Sequence, residues 1–275
     1  MIYKVEGIII RSSDYGEGNK ILTLYTKEMG KIGVMAKGAK KTKSRLSAVS
    51  QLFTYGHFVF YHGGGLGSLT QGDVIDSFRS IHQDIIKTAW AAYLVELLDK
   101  LSEEKEANAF LFFLLHTSLK MIEEDKDPEV VARIFELQLL QRIGIKPELN
   151  RCSSCRLEQR PFVAFSIREG GLICELCLAH DPHAIILSPA AIRLLRTFAQ
   201  IDLKRLGKVD VKENTRKQLA IAMKAFMDTY VGVKIKSRNF LDQLSQIADE
   251  LRPSRNTERE VSHGKRPETE IEDGR

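Results

Sequence analysis

The chain has 275 residues, 43% of them hydrophobic and 28% charged, which is the composition of a folded globular protein with room for two or three domains. No apolar run reaches the roughly 18 residues of a membrane span; the longest, Ala109 to Leu115, is too short. The net charge is +5, and residues 1 to 80, with eleven Lys or Arg against six Asp or Glu, carry all of it. A localised positive field draws polyanions without specifying a fold.

The first 80 residues read as strands. Apolar and polar positions alternate in "KILTLYT" (20–26) and "KIGVMA" (31–36), while "EGIIIRSS" and "HFVFYH" are β-branched or aromatic runs of strand length. A fifth run lies in "GSLTQGDVI", and "SRLSAVSQLF" between the third and fourth runs suits one short helix. Three strands, a helix and two strands is the order of a small OB-type barrel; other small barrels fit the pattern as well. The opening "MIYKVEGIII" lacks a signal-peptide layout, so a cytoplasmic protein is expected.

From residue 80 the period becomes helical. Ile85, Ala89, Trp90, Tyr93, Leu94, Leu97, Leu98 and Leu101 share a broad face, and "ANAFLFFLLHTSLKMI" is apolar on nearly all sides, as a central helix is. In "DPEVVARIFELQLLQRIG", Asp127 suits the N-cap, Pro128 the first helical position and Gly144 the stop. Ser188 and Pro189 open another helix, and two amphipathic stretches follow, to about residue 252. From Pro253 the chain is charged and poor in large apolar residues, so a disordered tail is expected at 253–275.

The four cysteines lie within 26 residues, as Cys152-x2-Cys155 and Cys174-x2-Cys177 separated by 18 residues. This is zinc-ribbon spacing: two thiolates on one turn meet two on another around a tetrahedral ion. Four sulfur ligands leave no open position, so the expected Zn²⁺ is structural. His180 and His183 are nearby alternatives as ligands. The intervening "FVAFSIREGGLIC" looks like a hairpin with Gly170 and Gly171 at its turn.

No P-loop, G-x-S-x-G or H-E-x-x-H occurs, and the glycine-rich "HGGGLG" links two strands, as a hairpin tip does. No catalytic residue is expected. The basic run "KGAKKTKSR" (37–45) leaves the third strand among Tyr15, Tyr25, Phe53, Tyr55, Phe58, Phe60 and Tyr61. OB barrels hold single strands by a basic groove plus aromatic stacking, although some of these rings must fill the barrel. A nucleic-acid-binding module is the leading reading; an RNA-binding OB module with a structural zinc, and a zinc enzyme, are the alternatives.

These features together resemble the RecO family of bacterial DNA repair proteins. The resemblance rests on "EGNKILTLYT", "KGAKKTKSRL", "QLFTYGHFVFY", "AAYLVELLDKL" and the "CSSC…CELC" pair, in register from about residue 1 to 250. It implies an α+β multidomain fold: an OB domain at 1–80, a helical domain at 81–147 and 185–252, and an inserted four-cysteine zinc-ribbon-like module at 148–184. It implies a recombination mediator that binds single- and double-stranded DNA, anneals complementary strands and, with RecR, helps load RecA onto strands coated by single-strand-binding protein. RecF is a further candidate partner. No catalysis, no membrane and a cytoplasmic, nucleoid-associated location go with it. The candidate DNA-contacting residues are Arg11, Lys31, Lys37, Lys40, Lys41, Lys43 and Arg45.

Overall fold

A computed structural model describes residues 1–250; the expected tail from Pro253 lies outside the described residues. β1 (Ile2–Tyr15), β2 (Asn19–Thr26) and β3 (Gly30–Ala36) form an antiparallel meander. The short helix α1 (Arg45–Val49) follows, then β4 (Tyr55–Tyr61) and β5 (Gly67–Asp76). The strands close in the order β1-β2-β3-β5-β4, with β3 and β5 parallel and β4 pairing back to β1. This is the OB-type barrel that the strand order suggested. Leu22, Leu24, Val34, Phe58 and Phe60 fill it, and Val49 of α1 packs into the same core.

Ile8, Ile9 and Ile10 of β1 are all buried. Ile9 points into the barrel, while Ile8, Ile10 and Tyr25 enter the core of the helices. The unbroken apolar run thus records a strand with both faces covered.

The helical part comprises α2 (Arg79–Gln83), α3 (Ile85–Leu101), α4 (Ala109–Glu123) and α5 (Pro128–Arg142). An insertion follows, with β6 (Phe162–Ser166), β7 (Gly171–Cys174), α6 (Glu175–Leu178) and β8 (Ile185–Ile186). α7 (Pro189–Gln200), α8 (Glu213–Tyr230) and α9 (Lys236–Glu250) complete the set. Caps explain the starts: Asp84, Asn108, Asp127 and Ser188 each accept backbone N–H bonds in the first turn of α3, α4, α5 and α7. No helix among the described residues is long and apolar enough to cross a membrane.

Barrel and helices meet along a close seam. Gly30 has φ +66°, and a Cβ there would fall 2.0 Å from the Glu106 carbonyl oxygen, so only glycine fits. Beside it Lys31 reaches the end of α3, where its Nζ donates to the carbonyls of Asp99 at 2.6 Å and Ser102 at 2.8 Å. An ammonium here satisfies helix-terminal carbonyls and complements the negative end of the dipole.

Candidate nucleic-acid interface and metal centre

The basic run forms a tight turn at the mouth of the barrel. Ala39 is buried in the barrel core and anchors it. Gly38 has φ +71°, the left-handed conformation that the reversal needs. Two bonds join the turn to the β1–β2 hairpin: Gly38 N donates to Asn19 Oδ1 at 2.8 Å, and Lys40 N to the Gly18 carbonyl at 3.1 Å. Ser44 closes it, accepting from Leu46 N as the cap of α1. The backbone is therefore held while Lys37, Lys40, Lys41, Lys43 and Arg45 remain exposed.

One of these cations has a partner. Lys40 Nζ lies 2.7 Å from Asp14 Oδ2, and the hydrogen bond from Lys40 holds the Asp14 carboxyl below its usual range. Lys20, paired with Asp14 across β1 and β2, adds a cation that the sequence reading did not single out. Only the hairpin register, set across the turn from Gly16 to Gly18, brings it there.

The remaining two candidates lie elsewhere. The Lys31 side chain is 13% exposed, with its ammonium on Asp99 and Ser102 in the seam. Arg11 is exposed on the outer face of β1 and approaches the same Asp99 at 3.8 Å.

The aromatic residues divide sharply. Tyr25, Phe53, Phe58 and Phe60 are buried, and Tyr55 is half-buried with its hydroxyl on Glu6. Tyr15 and Tyr61 are exposed. They sit near opposite ends of β1, since Tyr61 pairs with Ile2 and Tyr15 ends the strand.

In the insertion, β6 and β7 form the hairpin expected between the cysteine pairs, with Gly170 at φ +70° in its turn. The sulfurs of Cys152, Cys155, Cys174 and Cys177 all lie within 4.8 Å of one another, a group able to hold a metal ion. His180 and His183 are not part of this group. None of the four thiols is in a disulfide. Burial opposes ionisation of Cys152, but backbone N–H groups of Cys155, Cys174 and Ser154 outweigh it and lower the thiol to about 6. Cys174 N stands 3.4 Å from Cys152 Sγ. Burial pushes Cys177 up to about 12.

Residues 1–78 match the family described as Recombination protein O N terminal, and residues 82–239 match Recombination protein O C terminal. The chain belongs to the RecO family. It is 49% identical over 247 residues to DNA repair protein RecO of Bacillus pumilus, covering 90% of this chain and 96% of that one. The Halalkalibacterium halodurans protein of the same name is 46% identical over 247 residues, 90% of this chain and 97% of its own. That of Bacillus mycoides is 46% identical, with 90% and 99% covered. The join between the two RecO matches falls at α2, where the barrel gives way to helices.

Proposed function

We propose that this chain is a DNA-binding recombination mediator in repair. It binds single- and double-stranded DNA in the cytoplasm, at the nucleoid, and anneals complementary strands. With RecR it assists loading of RecA onto strands coated by single-strand-binding protein, RecF being a further partner. The observation that carries this reading is the exposed basic turn, anchored by Ala39, Asn19 and Gly18 at the barrel mouth. Lys37, Lys41, Lys43 and Arg45, with Lys40 and Lys20 beside them, neutralise phosphates and release counterions. Holding two strands by their backbones lowers their mutual repulsion and leaves base edges free to pair.

In this reading the domain divisions near residues 80, 148 and 185 separate a DNA-holding barrel from a helical domain for protein partners. The four cysteines hold Zn²⁺ with a purely structural role, because a closed sulfur shell leaves no position for substrate. The protein performs no chemistry of its own.

The test is an annealing assay with complementary strands, one precoated with single-strand-binding protein, with and without RecR. Acceleration on the coated strand supports the mediator role. Annealing no faster than the spontaneous reaction contradicts it, and tighter binding to RNA than to DNA of equal sequence moves the assignment to RNA.

A further inference from the structure

On β1 beyond its bulge, Arg11, Ser13 and Tyr15 pair with Thr23, Ile21 and Asn19 of β2, and Ile21 and Thr23 pair with Met35 and Gly33 of β3. The alternate residues Leu22, Leu24, Val34 and Ala36 fill the barrel, so this set lies on the outer face. That face is where OB barrels usually hold oligonucleotides. Here its lower part is occupied. Tyr25, Ile8 and Ile10 are in the helical core, and Lys31 is fastened to α3. Above Gly33, Leu66 from the β4–β5 tip closes one side. The strip that remains open runs past Ile21 and Met35 to Tyr15 and ends at the basic turn.

Tyr15 is 51% exposed at that end. The other tyrosines are engaged or distant. Tyr3 stacks on Phe60, Tyr25 is buried, Tyr55 donates to Glu6, Tyr93 to Glu136 and Tyr230 to the Ile167 carbonyl. Tyr61 lies near the other end of β1 against Gly63. Among the described residues, the Tyr15 ring and hydroxyl have no hydrogen-bond or ring partner. Its neighbours in both directions are tied to the turn: Asp14 to Lys40, and its cross-strand partner Asn19 to Gly38. A large exposed ring with no partner thus sits on the strand pair whose hairpin holds the backbone of the basic turn.

We propose that Tyr15 is the base-stacking residue of this interface, taking the face of one unpaired base while the basic turn holds the adjoining phosphates. The proposal rests on the nucleic-acid reading of the turn. Stacking needs a base out of the duplex, so a ring at Tyr15 would favour single strands over duplex without reading sequence. A stacked base keeps its pairing edge free, as annealing requires.

The experiment is titration of labelled oligo-dT and of a duplex, at fixed salt, with the full-length protein and its Tyr15→Ala, Tyr15→Leu and Tyr15→Phe variants. Loss of a stacking ring weakens single-strand binding roughly 5- to 150-fold. The expected result is that loss in Ala and Leu, under about two-fold change on duplex, and wild-type behaviour in Phe. Leu keeps an apolar side chain without a ring, so it guards against a loosened hairpin in Ala. Equal losses on both DNAs, or wild-type single-strand affinity in Leu, overturn the proposal. The underlying reading fails separately, through an unchanged salt dependence when Lys40, Lys41, Lys43 and Arg45 are replaced by Ala. Wild-type affinity in Tyr15→Leu beside a flattened salt dependence in that charge variant overturns stacking alone.

Discussion

Lys40 Nζ lies 2.7 Å from Asp14 Oδ2, so an anion of the β1–β2 hairpin already occupies one cation of the basic turn. A phosphate reaching Lys40 must displace this carboxylate. Asp14→Asn removes the competitor and keeps the side-chain shape. The expected outcome is tighter single-strand binding. The log–log salt slope should steepen by about 0.7, the increment of one added phosphate contact. Titrations at several salt concentrations measure both; weaker binding in Asp14→Asn contradicts the competition and makes Asp14 a support of the turn.

Lys31→Ala addresses the seam. The side chain donates to two carbonyls at the end of α3 and is largely buried. Losing charged hydrogen bonds of this kind costs about 1.5–3 kcal/mol each at most, and less where water replaces the ammonium. Denaturant unfolding should show the loss, while the salt slope of DNA binding stays as in wild type. A flattened slope would return Lys31 to the DNA-contacting set.

Lys31 also shows where sequence reading stops. Strand alternation in "KIGVMA" puts Ile32, Val34 and Ala36 on one side, which proves to be the barrel interior, and so leaves Lys31 on the outer face. It does not say which part of that face another domain covers. Asp99 and Ser102, some seventy residues on, decide that for Lys31, and the helical core decides it for Tyr25. The cysteine cluster and the Asp127 and Ser188 caps were legible because their geometry is local. Lys20 was missed because its neighbour Asp14 is set by hairpin register.

Metal removal should affect stability and leave DNA binding alone. Phe165 and Leu172 of the cysteine-bearing module belong to the helical core, and β6 and β8 pack on α7 and α8. A strong chelator, or Cys174→Ser, should release about one zinc per chain, read with a colorimetric indicator, and lower Tm. Single-strand affinity should hold within about two-fold, since the basic turn is built on the barrel alone. Full retention of Tm after complete metal loss contradicts the structural role.

Acid sensitivity should centre partly on Asp127. It accepts from the first N–H groups of α5 and binds Arg216 of α8 at 2.7 Å. Burial opposes its ionisation, but Arg216 and the N–H groups outweigh it, so its carboxyl is held below the usual range. A depressed folded value means stability present above the unfolded value of about 3.9 and lost as pH falls through the folded one. Neighbouring Glu129, pushed up by burial, works the other way. Asp127→Asn should therefore lose about 1–3 kcal/mol at neutral pH. Its stability should fall less steeply than wild type below about pH 4. Urea unfolding at several pH values measures both; parallel curves would contradict the assignment.

Whether the basic turn grips phosphates is tested most directly by the salt dependence of single-strand affinity in the variant with Lys40, Lys41, Lys43 and Arg45 all replaced by Ala. Lys40 is largely neutralised by Asp14, so about three contacts disappear. The expected result is weaker binding at low salt and a log–log slope flatter by about 2. A slope equal to that of the wild type contradicts it.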